Sequence, residues 1–532
     1  MRIHTPLTLA LTAAALAAAT PAQAQTTRAE RTDYGETSTY ADVIGFLDSL
    51  QKRGAAIRVG SMGESPLGRD IPYVIASRPL VASAAEARRS GKPIVWLQGN
   101  IHAGEVEGKE AAQMLLRDLT LGPLRPLLDS LVLIVVPIYN IDGNERFASG
   151  DENRPGQNGP ARVGMRGNGQ GLDLNRDYVK QEAPETRATL AMVERWDPDV
   201  FVDLHTTNGS YHGYALTYSP GLNPNDNPAN AWVRDRFLPE IRERVRSRHG
   251  HEMFPYGNFR NQEPDSLILG WETYDSRARY GVNLMGLRGR VAVLSEAYSN
   301  DPFAERVAAT YDFVREVLGL VAERADTVKQ LVRASDLRRA DSVIVRSEYA
   351  APDTLPVIVE ITTSAGDGSH GYARRNRTGE FRTIRMPVFD RFAAARAEAM
   401  PAAYFLPPQH GHVVELLRRQ GVQVARLEEE WTGPAESFMI DSVSAARRPF
   451  EGHRLASVEG HWEAQPAGTA AAGWYLVRTD QPLGVLAAYL LEPASEDGIV
   501  AWNFMDRDLR PGAAYPFVRT HVQVTTPAEL VP

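Results

Sequence analysis

"PIVWLQGNIHAGEVEGKEAAQMLL", residues 93–116, runs from an apolar stretch through a polar turn into a helical pattern. The apolar stretch is short and does not alternate, which is how a strand buried on both faces of a sheet reads. "KEAAQMLLRDL" (109–119) then repeats apolar residues at helical spacing. Between the two lie His102 and Glu105, three positions apart on a strand-to-helix turn and close enough to share one ion. Spacing alone decides little, because His249–Glu252 and His412–Glu415 repeat it. The first of these lies at the end of an Arg-rich helical pattern, and the second opens an amphipathic one after Pro407-Pro408; both read as structural.

Similar runs recur on either side of this stretch: "IPYVIAS" (71–77), "LVLIVVPIYN" (131–140), "DVFVDLH" (199–205) and "RVAVLSEAYS" (290–299). Helical patterns alternate with them, in "YADVIGFLDSLQKRG" (40–54), in "NAWVRDRFLPEIRERVRSRHG" (230–250) with Gly250 as C-cap, and from Phe303 to about Leu337. Apolar strands alternating with helices predict an α/β fold. Beyond residue 340 or so the texture changes to β-like runs, "LPVIVEITT" (355–363), "GWYLVRT" (473–479) and "LGVLAAYLLEP" (483–493), with one βαβ-like piece at 402–427. A boundary is expected there.

The 532 residues suit two or three domains, and 43% hydrophobic with 23% charged residues is a globular composition. A formal net charge of −8 argues against a nucleic-acid partner. The N-terminal 24 residues have the layout of a secretory signal, with Arg2, an apolar stretch and Ala22-Gln23-Ala24. No membrane span is expected once that signal is removed. There is no cysteine, so a metal site must use histidine and carboxylate.

Ligands of open α/β sheets collect at the carboxyl ends of strands. Four apolar strands end there in polar groups: His102 and Glu105, then Tyr139, Asn140 and Asp142, then His205, then Glu296. Two histidines and one carboxylate leave one position of a tetrahedral Zn²⁺ open, as catalytic sites require. Glu107 and Glu110 read instead as the acidic first turn of the next helix, where the helix dipole favours them.

With these residues in place the chain resembles the zinc carboxypeptidases of the M14 type. The likeness rests on several motifs in order over roughly residues 34 to 320. They are the G-x-S-x-x-G-R segment with Gly63, Ser65, Gly68 and Arg69, then "GNIHAGE", "PIYNIDGNER", "GLDLNRDY", "DLH" and "LSEAYS". The resemblance implies a mixed, largely parallel sheet flanked by helices, and one Zn²⁺ on His102, Glu105 and His205. It implies that Glu296 is the general base toward zinc-bound water. Arg166 would stabilise the oxyanion, with Arg162 as its rival. Asn175 and Arg176 would grip a substrate carboxylate, and Asp173 would orient a histidine ligand. Arg69 and Tyr280 are further substrate-binding candidates, with Tyr274 competing for the tyrosine role.

The expected organisation is a signal peptide (1–24), a catalytic domain (25–340) and a β-rich α+β accessory domain (341–532). The expected activity is that of a secreted or periplasmic metallocarboxypeptidase acting on peptides, or peptide-like substrates, with a free carboxylate. A zinc amidase or esterase, or a cell-wall peptide hydrolase, is the alternative, and a non-catalytic binding protein the third reading. Arg288 and Arg290 read as ion-paired or solvated.

Overall fold

Four of the apolar runs become neighbouring parallel strands because their side chains are buried on both faces and no polar face remains to turn outward. A computed structural model of the chain describes residues 25–364 and 375–531; the expected signal peptide lies outside them. Eight strands form the central sheet: β1 (Ile57–Glu64), β2 (Asp70–Ser77), β3 (Ile94–Gly99), β4 (Val132–Val136), β5 (Val200–Thr206), β6 (Leu216–Pro220), β7 (Met253–Pro255) and β8 (Val291–Ala297). Their spatial order is β1-β2-β4-β3-β5-β8-β6-β7. The inner four, β4-β3-β5-β8, are mutually parallel, while β1, β2 and β6 join antiparallel. The sheet is thus mixed with a parallel centre. In the β5–β8 register Glu296 lies beside His205.

Helices cover both faces. Tyr40–Lys52 begins with a capping box between Thr39 and Asp42 and buries Val43, Phe46, Leu47 and Leu50. The pattern at 230–250 forms, after a short π turn, the helix Leu238–His249, closed by Gly250 at φ 78° with its N–H on Arg246 O. Phe303–Glu323 and Ala325–Leu337 follow as a bent pair.

The C-terminal part is built from strands and interleaves with what precedes it. Strands Asp353–Ser364 and Arg375–Phe389 form a hairpin, and the second adds in parallel to Trp271–Glu272, with Trp271 opposite Val388. Backbone bonds from Gly213 to Ile358 and from Glu360 to Tyr211 tie the same hairpin to the loop after β5. A seven-stranded sheet follows between residues 403 and 530. One expectation is corrected: "LGVLAAYLLEP" is the helix Gly484–Leu491, not a strand, and nearly all of it is buried. An apolar run with no polar face has no period to separate the two structures. Core residues on both sides of residue 340, among them Val293, Val343, Tyr404 and Leu490, belong to one continuous cluster. Among the described residues no helix is long and apolar enough to cross a membrane.

Candidate functional site

The turn after β3 owes its shape to two asparagines. Asn100 takes a left-handed φ of 66°, which asparagine tolerates better than most residues, and its side-chain amide donates to the carbonyls of Ala103 and Glu105. Asn140, at the end of β4, donates to the carbonyls of Ile101 and Arg166. Gly104 completes the turn by close approach. A Cβ there would stand 2.5 Å from Arg154 Cγ and 3.0 Å from the Gly164 carbonyl. Gly104→Ala is therefore expected to cost about 1–3 kcal/mol by overpacking. Chemical denaturation measures it, and an unchanged midpoint would contradict the packing argument.

His102, Glu105 and His205 each offer one donor atom within 4.8 Å of the others. His102 Nδ1 lies 3.0 Å from Glu105 Oε1, and His205 Nδ1 lies 3.0 Å from Glu105 Oε2. Each ring has a carboxylate behind it. His102 Nε2 is 3.0 Å from Asp173 Oδ1. His205 Nε2 is 3.1 Å from Asp203 Oδ2, within ion-pair range but not aligned as a hydrogen bond. Such backing fixes the ring orientation and tautomer of metal-binding histidines. Two imidazole nitrogens and a carboxylate fit zinc by donor chemistry as well. His102, Glu105, His205 and Glu296 are 4, 3, 3 and 8% exposed, so little water screens them.

The charges respond to that burial. Burial opposes ionisation of Glu105, but the His102 ring and the Arg154 guanidinium outweigh it and hold the carboxyl well below its usual range. Burial likewise opposes protonation of His205, and Asp203 together with Glu105 overcomes it, keeping the imidazole protonated well above its ordinary value. Glu296 behaves in the opposite sense. Burial pushes its carboxyl up to about 8, with His205 pulling it down and Glu105 adding to the rise.

One small cavity, about 90 Å³, brings these groups together with Arg166, Asn175, Arg176 and Tyr280. Arg166 Nε donates to Asp173 Oδ2 at 2.9 Å, and its Nη1 lies 3.4 Å from Glu105 Oε1. Its rival Arg162 is exposed and donates to the Phe147 carbonyl. Asn175 Oδ1 accepts from the Gly281 N–H at 2.9 Å. The Arg176 guanidinium lies 4.3 Å from the Tyr280 ring centroid. Tyr274 and Tyr280 meet edge to face at 5.2 Å, and both line the cavity with Tyr256, Val282 and Leu294.

Arg69 is not among the lining residues. Its Nη1 pairs at 2.6 Å with buried Asp142, which also accepts from Ser65 Oγ and the Leu67 N–H. Arg69 and Asp142 thereby tie down the loop at 65–69. Arg288 and Arg290 are buried and engaged elsewhere, Arg290 with Asp197 and Asp336. His249 pairs with Glu316, and His412 meets the Phe504 carbonyl. Glu107 and Glu110 do open the helix Glu107–Thr120, yet both are wholly buried. Glu107 bonds Thr206 and faces Arg306, while Glu110 accepts from Thr37 and Ser38.

Two residues at the site escaped the sequence reading. Asp203 is a charge inside an apolar strand, and that alone is a legible signal, since unpaired carboxylates are almost never fully buried. Arg154 is 7% exposed and pairs with Glu105 Oε1 at 3.1 Å. Its Nη2 donates to the carbonyls of Thr206 and Thr207, and its Nε to Gln157. A larger cleft of about 460 Å³, lined by Arg234, Arg242, Arg246 and Arg391, shares Tyr256 with the site, and among the described residues it holds no metal donor set.

A sequence profile described as zinc carboxypeptidase matches residues 43–274. It spans His102, Glu105 and His205 and stops short of Glu296. Carboxypeptidase 2 of Trichophyton rubrum is 25% identical over 498 residues, 89% of this chain and 85% of its own. Carboxypeptidase D of Mus musculus is 30% identical over 186 residues, 30% of this chain and 13% of its own. A solved metallo-carboxypeptidase from Burkholderia cenocepacia aligns at 16% identity with a TM-score of 0.40, over 54% of this chain and 70% of that one.

Proposed function

We propose that the chain, whose residues 43–274 match a zinc carboxypeptidase model, is a metallopeptidase of the carboxypeptidase type that releases C-terminal residues from peptides outside the cytoplasm, with Glu296 as general base. The observation that carries this reading is one cavity shared by a three-donor metal set, a buried carboxyl with a raised pKa, and two arginines.

His102, Glu105 and His205 would hold the zinc, and His205 must first give up its Nδ1 proton, so uptake weakens toward acid pH. When bound, zinc polarises a carbonyl oxygen and acidifies water. Glu296 takes a proton from the attacking water and delivers it to the departing amine, a role suited to a carboxyl whose pKa lies near the working pH. Arg166 faces the same cavity and supports the negative charge that develops on the carbonyl oxygen. Asn175 and Arg176 hold the terminal carboxylate, with Arg176 kept in place by the Tyr280 ring. Tyr274, Tyr280, Val282 and Leu294 give the pocket an apolar, aromatic wall, which favours an apolar terminal side chain. Export is supported by the N-terminal signal pattern.

The test compares an N-acyl dipeptide with its C-terminal amide. The free acid should be cleaved and the amide nearly spared, with a chelator abolishing turnover and zinc restoring it. Arg176→Ala should raise KM for the acid roughly thirtyfold or more by removing one partner of a charge pair. Equal rates on acid and amide would favour an amidase instead, and hydrolysis indifferent to chelators would overturn the proposal.

A further inference from the structure

The C-terminal region reaches Asp173, behind the His102 ring, through a tight turn. Strands Trp431–Ala445 and Ala456–Ala470 pair antiparallel. Between them the chain reverses at Phe450-Glu451-Gly452-His453, where Phe450 and His453 exchange backbone bonds of 2.8 and 2.9 Å. Glu451 and Gly452 have φ of 49° and 82°, the two left-handed central residues of a type I′ turn. Asparagine or glycine fills the first of these positions cheaply, whereas a glutamate there is an outlier. An outlier held in place invites a search for what it gains.

What Glu451 gains is reach. Its Oε2 accepts a 3.2 Å hydrogen bond from the backbone N–H of Asp173. Asp173 is the residue whose carboxylate meets both His102 Nε2 and Arg166 Nε, and Asn175 and Arg176 follow within three positions. An asparagine at 451 is one methylene shorter. The same stretch is held at further points along its length. His453 Nε2 lies 2.8 Å from Glu182 Oε1. Gln420 donates to the Tyr178 carbonyl at 2.6 Å, and Gln181 donates to Leu416 O at 3.2 Å. Next to Tyr280, the backbone N–H and Nε of Arg279 donate to the fully buried Asp497 at 2.7 and 2.8 Å.

We infer that the C-terminal region is a clamp on residues 173–182, with Glu451 as the positioning residue that sets the loop carrying Asp173, Asn175 and Arg176. The inference rests on the carboxypeptidase reading of Asn175 and Arg176. It gives residues 403–530 a part in substrate binding although none of them lines the cavity. Glu451 touches no substrate in this scheme; it acts through the backbone of Asp173.

The full-length zinc protein, with Glu451→Asn and Glu451→Gln, tests the inference. Asparagine suits the left-handed turn better than glutamate but does not reach Asp173, so Tm should hold or rise and zinc content should stay at one ion. Amide hydrogen exchange over 173–182 should nevertheless quicken. KM for an N-acyl dipeptide acid should rise roughly threefold to tenfold, the worth of one hydrogen bond, with kcat within about twofold. Glutamine keeps the length and an acceptor oxygen, so it should restore wild-type exchange and KM. An asparagine variant with wild-type exchange would show Glu451 to be an ordinary turn residue and overturn the clamp. Quicker exchange with unchanged KM would overturn its role in binding. If Arg176→Ala left KM unaltered, the carboxylate reading would fall instead, and the exchange measurement would still decide whether the clamp exists.

Discussion

Glu296→Gln is expected to retain zinc at wild-type stoichiometry and to lose about 10²- to 10⁴-fold in kcat, the usual span for a positioned general base. Glutamine preserves the shape of a side chain that is 8% exposed, and the three donor atoms belong to other residues. Only the ability to accept a proton disappears. The wild-type pH profile carries the same information. Burial pushes Glu296 up to about 8 from a reference of 4.5, while His205, Arg154 and Arg166 pull it down. A bound cation pulls in the same direction. Since the ionised form is the base, kcat/KM should rise with pH along a limb between those two values. The glutamine variant should lack that limb. A variant with full turnover, or an unchanged limb, would remove Glu296 from the mechanism.

Arg154→Met is expected to destabilise the zinc-free protein by about 3 kcal/mol, as when one partner of a buried ion pair is removed. Methionine fills much of the same space but leaves Glu105 short of a cation and the carbonyls of Thr206 and Thr207 without their donor. Zinc then becomes the main remaining positive partner of Glu105. The loss should therefore be clearly smaller in the loaded protein, so that zinc raises the denaturation midpoint of the variant more than that of the wild type. Equal losses with and without zinc would mean that Arg154 serves the loop at 150–157 rather than Glu105.

The central strands were legible because burial on both faces leaves an unbroken apolar run, and strand ends are where such a run turns polar. Such strand ends carry His102, Glu105, His205 and Glu296, which the structure gathers in one cavity. Arg154 bears no such mark: it sits in a Pro- and Gly-containing loop with no periodicity and reaches the site through a contact with Glu105, 49 residues away. Asp203 could have been found from its apolar neighbours. Arg69 shows the reverse: a motif names the residue but not its partner, and the structure pairs it with Asp142. Glu107 and Glu110 do form the acidic first turn that the helix dipole favours, but their spacing says nothing of burial. Here that turn is packed under the sheet, where Arg306 and the 37–38 segment meet the two acids. Gly484–Leu491 was misread because an apolar segment surrounded by protein has no polar face to reveal its period.

The bond between Asp173 and Glu451 joins residues 278 positions apart. At the usual pace of synthesis, roughly 5–20 residues per second, the loop with Asn175 and Arg176 leaves the ribosome on the order of half a minute before its counterpart. Trp271, whose partner strand lies at Val388, waits as well. A growing chain can bring its three metal donors together while the turn that steadies residues 173–176 is still unmade, so on the clamp reading full substrate affinity arrives only once residue 451 has been added.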